Sequence, residues 1–168
     1  MKNLFVCCLL AIFISCDDGD LQIETIDFDS VAINTCESTI TTSSTVFFKI
    51  NGTEALILEL QSGVLKNEVS SGSITSLVPS QSKLTYRIFS DKVASNYFCD
   101  DIPTTEPLVI EEIEAEAGEV LITTVLAEGT TDTYEHTIEL NKITFITSQD
   151  QRITDLQINN FGVVTTQP

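Results

Sequence analysis

His136 is the only histidine in the chain, so general acid–base chemistry has one imidazole to work with. A Ser-His-Asp triad needs that base beside an activated nucleophile. No Gly-x-Ser-x-Gly elbow or cysteine setting accompanies His136. The residue falls on the apolar phase of its strand, which points to the edge of a core instead. Zinc sites take three or four His, Cys or carboxylate ligands, which one histidine supplies poorly. Carboxylates are the denser chemical resource. Glu111, Glu112, Glu114, Glu116 and Glu119 crowd one stretch, and Asp100-Asp101 follow Cys99. Glu112, Glu114 and Glu116 share a strand face by the two-residue period. They are the candidate ligands should calcium bind, since calcium takes six to eight oxygens. No Asp-x-Asp-x-Asp-Gly loop is present, and a solvated acidic face accounts for the same pattern. Two carboxylates flanking a cleft would suit a glycosidase, but the chain has no Trp to form a sugar platform. These residues predict no catalytic group, no cofactor and no resident metal.

The five cysteines divide by position. Lys2 precedes an apolar run of eleven residues, Leu4 to Ile14. Such a run is too short for a transmembrane helix, which needs ~20 residues, and it suits the h-region of a signal peptide. The run ends in Phe13-Ile14-Ser15-Cys16 and gives way to Asp17-Asp18-Gly19-Asp20. This resembles the lipobox of bacterial lipoproteins, with Phe13 where Leu is usual. The resemblance implies a signal peptide over 1–15, removal after Ser15, and acyl chains on Cys16 that hold the protein to a membrane. An ordinary signal peptide cut elsewhere is the alternative. One acyl chain binds only reversibly; the two or three that lipoproteins carry give a lasting anchor. The acidic run after Cys16 resembles the export signal of Bacteroidota surface lipoproteins, which implies an outer-membrane protein facing outward. In other bacteria an acidic residue there means inner-membrane retention, and the periplasmic side stays open. Cys7 and Cys8 leave with the signal, so Cys36 and Cys99 remain as one pair in a disulfide-permitting compartment. A disulfide is expected; two buried thiols are the alternative.

Composition narrows the partners. The precursor carries −17, with 8 basic and 25 acidic residues. Removing 1–15 takes Lys2 and no acid, leaving 7 basic against 25 acidic, or −18. Such a surface repels nucleic acid, which is bound through basic patches. It also repels anionic lipid, so acyl chains and not charge must make the membrane contact. The aliphatic content is too high for disorder. Residues 16–20 read as a lipidated cysteine and acidic tether, and 21–168 as one domain large enough for a real core.

The elements that must position these residues are strands. The chain holds 22 threonines with many Val, Ile and Phe, residues that fit a pleated surface. Leu21 to Phe28 and Val31 to Cys36 read as short strands, the first with a phase change between Ile23 and Ile26. Thr45 to Ile50 and Glu54 to Leu60 flank Asn51-Gly52, a hairpin signal. Ala55-Leu56-Ile57-Leu58 is apolar on both phases and predicts a strand buried on both faces. Gln61 to Ser82 reads as loop with one edge strand, Lys83 to Phe89 as a strand, and Ser90 to Phe98 as one helical turn. Leu108 to Ala117 and Glu119 to Ala127 read as a hairpin about Gly118. Thr133 to Leu140 places Tyr134, His136, Ile138 and Leu140 on one face, and Ile143 to Thr147 continues it after a one-residue slip at Asn141-Lys142. Ile153 to Phe161 reads as the last strand. Seven to nine short strands predict an all-β fold, an antiparallel β-sandwich of Greek-key or immunoglobulin-like outline.

The Cys16-Asp-Asp-Gly-Asp start, Val46-Phe-Phe-Lys-Ile-Asn51, Tyr86-Arg-Ile-Phe89 and Asn96-Tyr-Phe-Cys99 with Ile102-Pro103 resemble a group of small flavobacterial lipoproteins. That resemblance covers the first two-thirds of the chain and implies location without mechanism. Asp29-Ser30-Val31 is similar to a short O-glycosylation sequon of exported Bacteroidota proteins, with Ser30 the acceptor. The expectation is a lipid-anchored envelope protein of structural or binding type, its partner another envelope protein or a glycan. A calcium- or carbohydrate-binding module of a nutrient-uptake system is the alternative.

Overall fold

The computed structural model describes residues 25–102 and 104–168. The expected signal peptide, Cys16 and the acidic tether lie outside the described residues, as does the first part of the expected Leu21 to Phe28 strand. Ten strands and one helical turn follow: β1 Thr25–Asp27, β2 Val46–Asn51, β3 Glu54–Glu59, β4 Ile74–Val78, β5 Lys83–Phe89, α1 Asn96–Cys99, β6 Val109–Leu126, β7 Tyr134–Ile146, β8 Arg152–Ile153, β9 Asp155–Gln157 and β10 Asn160–Thr166. The fold is an all-β sandwich, antiparallel apart from the parallel pair β1–β9.

One layer runs β2-β3-β5 and then the first half of β6; the other runs β4, the second half of β6, the first half of β7, and β10. The end of β7, with β8 beside it, completes the first layer against β6. Thus β6 and β7 belong to both layers and turn the corner together. The expected hairpin about Gly118 is corrected here: β6 is one strand of 18 residues. Gly118 bends the strand without ending it. Its φ is +139°, and the β6–β7 register shifts on both sides of Ala117. A bulge re-aims a strand in this way and increases its twist. On β7 the partner bend falls at Lys142, with φ +54°. That is the expected phase slip: His136, Ile138 and Leu140 are buried before it, Ile143 and Phe145 after it.

Two further expectations change. Val31 to Cys36 is not a strand; only Asn34 bridges to Phe48. The segment is pinned instead by Cys99 at its end and by Ile33, whose Cβ lies 3.2 Å from where a Cβ on Gly162 would stand. The last strand is broken into β8, β9 and β10 and runs on to Thr166, because Val164 and Thr166 continue the inward phase set by Phe161 after the Gly162 irregularity.

A single core joins the layers. Phe47, Leu56, Leu58, Leu84 and Tyr86 of one face Val120, Ile122, Ile138, Leu140 and Val164 of the other. Outside the first layer lies a second, smaller core, where Ala55, Phe89 and Val93 pack with Ile50, Ile57, Tyr97 and Phe98. Phe98 stacks on Phe48 at 4.5 Å between centroids. The two-sided burial expected of β3 arises here, since α1 covers its outer face. Cys36 and Cys99 are disulfide-bonded, with Cα atoms 5.1 Å apart across 63 residues of sequence. Closing a loop of that length contributes about 4 kcal/mol on the chain-entropy model. The bridge fastens α1 and its small core to the loop before β2.

A Cβ on Gly118 would meet Ile143 Cδ1 at 2.5 Å and its Cα at 3.0 Å. Gly118→Ala should therefore lose about 3 kcal/mol, from backbone strain and overpacking together. Gly63, with φ +80° but open space around it, should lose only about 1 kcal/mol on the same change. Urea midpoints compare the two; equal losses would show that the contact with Ile143 carries no weight.

Candidate functional site

Among the described residues the buried basic side chains are His136 and Lys49, and both are used internally. His136 is fully buried on the inner face of β7. Its Nδ1 lies 2.8 Å from Thr124 Oγ1 on β6, and its Nε2 lies 2.8 Å from Thr166 Oγ1 on β10. Thr166 Oγ1 donates its proton to Asn67 Oδ1 at 2.6 Å. The Thr166 oxygen must then accept from His136, which places the imidazole proton on Nε2. Nδ1 is left to accept from the Thr124 hydroxyl. The ring is neutral with every hydrogen-bonding atom engaged, the condition for burying polar groups at low cost. Ser70 extends the network: its N–H donates to Thr124 O at 3.0 Å, and its Oγ accepts from Thr124 N. His136 was expected at the core edge on strand phase. The structure puts it at the centre of a ring of hydroxyls tying three strands to the 67–70 segment.

Lys49 was not singled out from sequence. It is 1% exposed, on the same face of β2 as Phe47. Its Nζ donates to Phe28 O at 2.6 Å and Asn160 O at 2.7 Å, and stands 5.5 Å from the centre of the Phe161 ring. The ammonium thus closes the seam between the segment after β1, the edge of β2 and the start of β10. Burial lowers its pKa, while Asp29 and Asp27 act in the opposite direction. Asp29 also accepts from Asn160 N at 2.8 Å. A signal existed: Lys49 shares parity with Phe47 inside an apolar strand.

The expected calcium candidates do not converge. Glu112, Glu114 and Glu116 are exposed on the outward face of β6. Glu112 pairs with the Arg87 guanidinium across the sheet, and Glu114 stands opposite Thr85. Among the described residues no group of three or more His, Cys, Asp or Glu side chains could hold a metal ion. Ser30, the expected glycan acceptor, is exposed in the turn after Phe28.

A cleft of about 800 Å³ lies between the loop before β2 and the last residues, 165–168. Thr39, Thr41 and Thr42 line one wall, Thr165 and Gln167 the other, with Asn67 at the base. Glu37 is the acidic side chain in the lining, and no basic one joins it. Ser44 hydrogen-bonds the Glu37 carboxylate and also accepts from Thr41 N at 2.9 Å, which holds the loop in shape. Asn67 joins the cleft to the His136 network through Thr166. Sequence reasoning missed the cleft because its walls come from three distant segments, each an unremarkable run of Thr, Ser and Gln.

Burial lowers the His136 pKa, and the chain has no other histidine. As pH falls through about 6.5 the unfolded chain takes up a proton that the folded chain refuses. Stability is complete above that pH and falls below it until the lower folded pKa is reached. The slope is bounded by one proton, about 1.4 kcal/mol per pH unit. Urea midpoints between pH 7.5 and 5.5 measure it, and His136→Gln should flatten the profile. An imidazole that titrates at or above its ordinary value by NMR would contradict the neutral network.

In comparison with known proteins, no family model, no curated protein and no solved structure matches the chain.

Proposed function

We propose that this chain is a non-catalytic, lipid-anchored envelope protein of binding type, whose ligand is an uncharged, hydroxyl-rich molecule such as a glycan segment. The observation that carries the ligand class is the lining of the cleft: threonine hydroxyls and the Asn67 and Gln167 amides, with Glu37 held by Ser44. Neutral donors and acceptors of this kind suit a polyhydroxylated ligand. A net charge of −18 after removal of 1–15, 7 basic against 25 acidic residues, disfavours anions. The catalytic alternative draws no support from His136, since both ring nitrogens are committed to buried threonines. The calcium alternative has no cluster of ligands among the described residues on which to stand. The anchor rests on the sequence run ending at Ser15-Cys16. The outward-facing, outer-membrane position rests on Asp17, Asp18 and Asp20.

Cys16→Ala should abolish incorporation of labelled palmitate and release the protein from membranes. Retention of both in that variant would overturn the anchor. Impermeant protease applied to intact cells should digest the domain; protection until the envelope is lysed would place it on the periplasmic side. For the ligand, Thr39→Arg with Thr165→Arg should weaken binding of neutral envelope oligosaccharides at least about tenfold, or ~1.4 kcal/mol. Both side chains are exposed, so the thermal midpoint should hold. Absence of saturable oligosaccharide binding to the unaltered protein would remove the glycan reading.

A further inference from the structure

Ten large apolar side chains are exposed among the described residues, and four of them fall in one stretch: Ile102, Leu108, Val109 and Ile110. Ile102 is 82% exposed, Ile110 67% and Leu108 57%. The other six are spread over five segments of the chain, as single exposed apolar residues commonly are. This stretch leads from α1 into β6, and hydrogen bonds fix where its second half lies. Ser90 N donates to Leu108 O, and Leu108 N donates to Ser90 Oγ. Phe89 N donates to Thr53 O, and Val93 N donates to Gly52 O. Leu108 therefore sits at the end of the first layer formed by the β2–β3 turn and the close of β5. The register agrees, aligning Glu54 with Ile88 and Ile88 with Glu111.

The N-terminal segment enters at this same end. Asn51, on the β2–β3 turn, donates to Asp27 O at 3.1 Å, and the described chain begins two residues earlier at Thr25. From Asn51 to β6 is three strand spacings, roughly 15 Å. Eight residues, 17 to 24, separate Cys16 from Thr25, and the nine steps between the two reach at most ~30 Å when extended. An anchor at Cys16 thus keeps this end of the domain within ~30 Å of the lipid.

We propose that Ile102, Leu108 and Ile110 form a lipid-facing foot on which the domain rests against an uncharged, zwitterionic bilayer surface. The proposal rests on the Cys16 anchor proposed above. The tether keeps the foot within reach, so shallow insertion of a few aliphatic side chains suffices where it could not hold a free protein. Acidic neighbours set the lipid class: Asp100, Asp101 and Glu106 are exposed beside these side chains, and anionic headgroups would repel them. The cations at this end are Lys92, on the 90–93 turn, and Arg87, which is paired with Glu112.

The absence of tryptophan makes the test direct. The chain from Cys16 to Pro168, coupled through the Cys16 thiol to a maleimide lipid, is tethered to vesicles of brominated phosphatidylcholine. Cys36 and Cys99 are bridged and do not react. Ile110→Trp and Leu108→Trp should each be quenched at least about twofold more than Val163→Trp, whose parent side chain is exposed on the other layer. Adding phosphatidylglycerol should relieve the quenching. Equal quenching at the three positions, or stronger quenching at Val163→Trp, would overturn the foot. Because the coupling is chemical, failure of biological acylation is read separately, as the missing acyl mass on Cys16 of the exported protein.

Discussion

Both layers of this protein depend on one corner, where β6 and β7 bend together from the first sheet into the second. The backbone of β6 passes so close to Ile143 at Gly118 that no side chain fits between them. The positive φ at that residue turns the strand without cutting its hydrogen bonds to β7. Ordinary sandwiches join their layers through loops, which leaves the packing angle to the core alone. Here two continuous strands join them, so the first layer and the second are set by the same bend. Residues far apart in sequence, such as Phe47 and Val164, meet as a result.

A folded-over sheet still has an open side, and its closure is polar. Lys49 reaches into the gap and donates to carbonyls on either side of it. Phe28 O also accepts from Val31 N at 3.1 Å, so the ammonium adds a second bond to that carbonyl and a bond to Asn160 O. The ammonium in turn would be costly to bury without them. The His136 network applies the same rule with neutral groups. In each case a buried polar side chain is tolerated because its partners come from different strands, and those partners make the strand positions specific.

The same architecture places the histidine and one lysine inside and most of the carboxylates outside. The histidine and the most deeply buried lysine hold the fold. The carboxylates are distributed over outward faces. The open cleft is lined by hydroxyls and amides, and the disulfide fastens the loop that forms one of its walls. The rim therefore presents mainly neutral hydrogen-bonding groups, with Glu37 as its acidic side chain. Coupling between the rim and the interior runs through Asn67, which lines the cleft and accepts from Thr166.

Local pattern determined much of the fold. Alternation in Thr133 to Leu140 determined which face of β7 is buried, and the slip at Asn141-Lys142 marked its bend. Asn51-Gly52 marked the first hairpin. The all-β class followed from residue type, and the Cys36–Cys99 pairing from the two cysteines left after the expected processing. These features are set within a few residues or by elimination, so a sequence displays them. Gly118 shows the limit: a turn between two strands and a bend within one strand require the same positive φ, and only the Ile143 contact and the β4 and β7 pairings decide between them. The fates of Lys49 and of the Thr-rich cleft were likewise tertiary. Each depends on segments more than a hundred residues apart meeting at one point, Phe28 with Asn160 and Thr39 with Thr165, and no local pattern encodes a distance of that kind.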